Sequence, residues 1–119
     1  MPGVDTTVTR GDGDPVCERC RVADRPFARM RGLLGRADLP AGEGILLRPA
    51  ASVHTWFMRF PIDVVFLDRE LRVTKVVSRL RPWRIASGRG ARAVLELSAG
   101  ECERRGVTAG QRLSLAEGR

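Results

Sequence analysis

Ten consecutive residues, His54-Thr55-Trp56-Phe57-Met58-Arg59-Phe60-Pro61-Ile62-Asp63, hold the only histidine of the chain, one of its two tryptophans, an arginine and an aspartate. An imidazole within hydrogen-bond reach of a carboxylate makes a general acid–base pair, because the carboxylate fixes the tautomer and favours the charged form. His54 and Asp63 are therefore the catalytic candidates, and with them the chain would be an enzyme of hydrolase or lyase type. The same two residues also satisfy a partly buried imidazole without any chemistry. Arg59 stands between large apolar residues beside a turn, where its planar fork can pair with Asp63 or hold an anion. Trp56 offers a stacking platform, and Trp83 with Arg84 repeats the pairing of indole and guanidinium. The leading expectation is binding rather than turnover: an anionic or sugar-like small ligand held by His54, Trp56, Arg59 and Asp63, rimmed by Arg36, Trp83 and Arg84. Phe57, Phe60 and Ile62 are read as core.

Other patterns carry less. Cys17-x-x-Cys20 has the spacing of a zinc or redox pair, but a structural zinc site needs four ligands and no second pair follows. Cys20 is read as a small buried apolar residue, and neither metal nor cofactor is expected. No glycine-rich phosphate loop follows a strand, and neither Ser52 nor Ser98 sits in a nucleophile elbow.

The elements that must position these side chains are short. Residues 1–18, with Gly11, Gly13 and Pro15 among Asp and Thr, are expected to be a flexible leader. In Arg19-Cys20-Arg21-Val22-Ala23 the residue types alternate, so Cys20 and Val22 share one face of a strand. Asp24 can cap a short helix carrying Phe27, Met30, Leu33 and Leu34 at helical spacing, with Gly35 as its stop. Apolar runs of strand length follow at Ile45 to Leu47, Val53 to Met58, Asp63 to Leu67, Leu71 to Val77, Ala93 to Leu97 and Gln111 to Leu115. Asp68-Arg69-Glu70 would join two of them as a hairpin. Pro61 forces an extended Phe60 and ends the strand before it. Ser98 three residues before Glu101 has capping-box spacing, predicting a helix over Ala99 to Arg105 that stops at Gly106. The pattern predicts a mainly β domain over 19–117: a mostly antiparallel sandwich or partly closed barrel with one N-terminal and one small C-terminal helix.

Composition limits the function. The charged fraction of 29% and hydrophobic fraction of 43% are those of a globular chain. No apolar run is long enough to cross a bilayer, and the opening residues lack the pattern of an export signal, so a cytoplasmic protein without membrane contact is expected. The formal charge of +7 invites a polyanionic partner. All but Lys75 of its basic residues are arginine, however, and these are scattered, so a solvated basic surface is favoured over nucleic-acid binding.

Taken in order, "RMRGLLGR", "SVHTWFMRFPIDVVFLD", "VLELSAG" and "RGVTAGQRL" resemble the domain of unknown function 192 family, also called uncharacterised protein family 0127. The likeness runs from about Val22 to Leu115. It implies a compact, largely β domain and brings no assigned reaction or catalytic residues. Many relatives carry a longer turn of Met-Lys-Asn-Thr type before the Pro-hydrophobic-Asp element, whereas here Met58-Arg59-Phe60 runs directly into Pro61.

Overall fold

Alternating apolar residues organise most of the chain into one curled sheet. The computed structural model describes residues 5–23 and 37–117. Seven strands run in the order β6-β5-β8-β3-β2-β1-β9: β1 is Asp5–Arg10, β2 Pro15–Ala23, β3 Glu43–Leu47, β5 Ile62–Leu67, β6 Val73–Leu80, β8 Ala93–Ser98 and β9 Leu113–Glu117. Pairing is antiparallel throughout except between β2 and β3. A separate two-stranded ribbon, β4 (Ser52–His54) with β7 (Ile85–Ser87), completes the strands.

The edge strands of the sheet meet at one end. Arg72 bridges Arg112, the Val73 N–H donates to the Gln111 carbonyl at 2.7 Å, and the Leu113 N–H donates to the Leu71 carbonyl at 2.9 Å. The result is a half-barrel rather than a sandwich. Its inner face gathers Val8, Val16, Cys17, Cys20, Leu46, Val65, Leu67, Leu95, Leu97 and Leu113. The outer face of the central strands carries Ile45, Leu47, Ile62, Val64, Phe66 and Val94, and the ribbon covers it through Val53 and Ala86. This double coverage is why β5 is buried at every position and reads as a continuous apolar run. The ribbon lies close: a Cβ added to Gly88 would come within 2.7 Å of the Phe66 ring.

Several expectations change. The leader is not loose over its described part: β1 and β2 form a hairpin inside the sheet, and Gly13, at φ 93°, makes the tight turn that its Asp-Gly sequence favours. The expected N-terminal helix and Arg36 lie outside the described residues. Strand β4 stops at His54, earlier than the expected Met58. The C-terminal helix, α1, is confined to Glu101–Arg105 between two left-handed glycines, Gly100 and Gly106. The capping box does not form, because the Glu101 carboxylate turns instead to Arg104 and Arg105, at 2.7 Å from the Nε of each.

Candidate functional site

Asp63 does its work inside the barrel. It alternates with Ile62 and Val64, so it points to the inner face where α1 packs. It is fully buried, and its two oxygens accept the backbone N–H groups of Arg79 and of Cys102, each at 2.8 Å. It thereby caps the first turn of α1 from a distant strand. His54 belongs to the ribbon on the other side of the sheet, exposed and paired across it with Ile85. The structure thus separates the His54 and Asp63 pair by the sheet itself. Arg59 is exposed and does not reach Asp63 either.

The other described candidates, Trp56, Arg59, Trp83 and Arg84, lie in two loops that are tied to each other. Thr55, fully buried, ties two loops that leave the ribbon. Its N–H donates to the Arg84 carbonyl at 2.8 Å, and its carbonyl accepts from Trp83 at 3.0 Å and Met58 at 3.2 Å. Its hydroxyl donates to the Arg81 carbonyl at 2.6 Å and accepts from the Arg84 N–H at 2.9 Å. These bonds hold Phe57 and Trp83 in left-handed backbone conformations, φ 67° and 66°, that bulky side chains rarely adopt. Their rings lie 4.8 Å apart at an interplanar angle of 60°, with Phe57 69% and Trp83 57% exposed. Just ahead of Phe57 in the chain, the His54 and Trp56 rings are 5.0 Å apart, and Ile85, opposite His54 in the ribbon, is exposed. Arg59, Arg81 and Arg84 are exposed in the same two loops. Phe57 is therefore surface, not core. Met58 turns inward in its place and joins Phe60 and Ile62 in the outer-face cluster.

Two residues that spacing alone did not point to matter here. Thr55 is the tie between the loops, although its partners lie 26 to 29 residues away. Glu96 on β8 shares the outer face with Val94 and is flanked across the ladder by Ile45 and Val64. No described residue hydrogen-bonds its carboxyl, and burial among these apolar side chains pushes it up to about 7.

The three cysteines are buried thiols that line the inner core. Cys17 is lowered, first by its hydrogen bond with Cys20, against the opposing effect of burial. Cys102 is raised to about 12 by burial and by the neighbouring Asp63 carboxylate. Among the described residues no group of His, Cys, Asp or Glu is placed to hold a metal ion. No described helix is long and apolar enough to cross a membrane.

Known proteins share both the fold and the sequence pattern. A solved structure of a candidate transcription regulator from Sinorhizobium meliloti 1021 superposes with a TM-score of 0.82, at 22% identity over 97% of each chain. A protein of unknown function from Novosphingobium aromaticivorans gives 0.78, at 24% identity over 96% of this chain and 92% of the other. At these identities the likeness is one of fold. Among curated sequences, a UPF0127 protein from Thermococcus sibiricus is 36% identical over 87 residues, 69% of this chain and 56% of its own length. One from Pyrococcus horikoshii is 43% identical over 68 residues, 55% of this chain and 58% of its own. The chain thus spans little more than half the length of the curated relatives it matches. The model of the DUF192 family, described as an uncharacterized ACR, matches residues 7–115, from within β1 into β9. The half-barrel, the ribbon and the aromatic loops all fall within that match, and the chain belongs to the DUF192 family.

Proposed function

We propose that the domain is a binding module whose ligand lies on the surface formed by Trp56, Phe57 and Trp83, with His54, Ile85, Arg59 and Arg84 at its margin. The observation that supports this reading is the pair of exposed aromatic residues held at positive φ. Each such conformation costs on the order of 1–3 kcal/mol, and strain of this kind collects at binding sites where the surroundings impose it. Here the imposed geometry keeps two large apolar rings in water, against the tendency of such side chains to be buried. A ring-shaped ligand with apolar faces, such as a sugar, stacks on indole and phenyl faces. The guanidinium forks of Arg59 and Arg84 supply charge-assisted hydrogen bonds to an acidic substituent. The ligand class that fits both features is a sugar acid.

Both tryptophans of the chain lie on this surface, so intrinsic fluorescence reports on it directly. Titration with hexuronic acids should give a saturable change in emission, and neutral hexoses a weaker one. Trp83→Ala and Phe57→Ala should reduce the affinity while leaving thermal stability unchanged or raised. A flat response to every sugar in the panel would overturn the reading, as would responses indifferent to both substitutions.

A further inference from the structure

Two open clefts lined by described residues carry charge, and they differ in how that charge is met. The larger, about 510 Å³, includes Arg10, Glu18, Arg104 and Arg105 in its lining. Its arginines are answered from within the chain: Arg10 by Asp14 at 2.6 Å, Arg104 by Glu101 at 2.6 Å and Arg105 by Glu18 at 2.8 Å.

The smaller cleft, about 370 Å³, is lined by Arg48, Pro49, Asp68, Arg69, Arg92 and Ala93. It forms where β3 ends, β5 enters its turn and β8 begins. Three arginines and a single aspartate line it. Asp68 Oδ1 is already engaged, accepting the backbone N–H groups of Glu70 and Arg72 at 2.9 Å each. None of the three arginines makes an ion pair or side-chain hydrogen bond with a described residue. Like charges lining one cleft, with no partner among the described residues, repel one another, and an anion in the cleft would relieve that repulsion.

We propose that this cleft is a second binding site, for a phosphate monoester whose phosphoryl oxygens are held by Arg48, Arg69 and Arg92. The net charge of the lining is two positive, which a dianionic phosphoryl group neutralises and a phosphodiester monoanion does not. Pro49 and Ala93 give the uncharged part of the ligand an apolar wall. The site is independent of the aromatic surface: β5 separates them, with the aromatic loops before Ile62 and the cleft beyond Leu67, about 17 Å along the strand.

Phenyl phosphate, inorganic phosphate and dimethyl phosphate, titrated calorimetrically into the intact protein at low salt, test it. Phenyl phosphate should bind more tightly than inorganic phosphate, and dimethyl phosphate should bind far more weakly than either. Binding should weaken as pH falls from 8 to 5, because the second proton returns to the phosphoryl group near pH 6. Arg69→Gln and Arg92→Gln, both at exposed positions, should each weaken phenyl phosphate about tenfold. Trp83→Ala should leave it unchanged, so this site can fail or survive apart from the aromatic one. Absence of heat at millimolar phenyl phosphate would overturn the proposal. So would equal binding of the diester, indifference to both arginine substitutions, or an oligonucleotide that binds through the same arginines more tightly than the monoester.

Discussion

Two buried carboxyl groups on neighbouring strands show how environment assigns roles. Asp63 receives two backbone N–H groups, whereas Glu96 receives none from a described residue. Replacing Asp63 with Ala leaves both donors unmet, and urea denaturation should register a loss of about 2–5 kcal/mol. A double-mutant cycle of His54→Ala with Asp63→Ala should be additive within about 0.5 kcal/mol, since the sheet stands between them. Glu96 links stability to pH. Its carboxyl titrates at about 7 in the fold against an ordinary 4.5, so the unfolded chain ionises first as pH rises. Its contribution to stability is whole below pH 4.5, falls between there and about 7, and is lost above, roughly 3 kcal/mol in all. Melting temperatures at pH 5 and pH 8 should reveal that slope in the wild type and a flatter profile in Glu96→Gln. None of this was readable from residue types: a ten-residue window suggested an Asp63 partner for His54, but the face on which Asp63 projects is set by its register with β8.

At the scale of the elements, the ribbon and its two loops act as one unit because Thr55 stitches them. Thr55→Val keeps the shape and removes the hydroxyl, leaving the Arg84 N–H without its acceptor. A loss of about 1–3 kcal/mol is expected, together with a change in tryptophan emission as the Trp83 loop relaxes. Gly88→Ala drives a methyl group into Phe66 and should lift the ribbon from the sheet, which amide exchange along β4 and β7 would detect. Strands with a strong apolar run, β3, β5 and β8, were legible in sequence, as were the β5–β6 hairpin and the alternation around Cys20. The end of β4 was not. Val53 to Met58 is apolar enough to continue a strand, and only the distant carbonyls of Arg81 and Arg84 show that Thr55 ends it and turns Phe57 outward. Strand β1 is hidden for another reason: Gly11 and Gly13 suggest a flexible leader, yet Thr-Thr-Val-Thr ahead of an Asp-Gly turn is a hairpin signal.

At the scale of the whole molecule, the sheet joins its ends: β9 pairs along β1, from Thr6 opposite Glu117 to Arg10 opposite Leu113, and the Arg72 and Arg112 bridge draws β6 to the other side of β9. Truncation after Gly110 would expose the edge of β1 and uncover the inner core at Leu113, and a cooperative melting transition should disappear with it. The β1–β9 pairing also has a consequence in time. Contacts between segments this far apart in the chain carry a large loop-closure entropy, so they form late and the protein should refold slowly for its size. On the ribosome, β1 must wait unpaired along one edge until β9 has been made. The interval between its emergence and the arrival of β9 is when a nascent chain is most exposed to pairing with its neighbour.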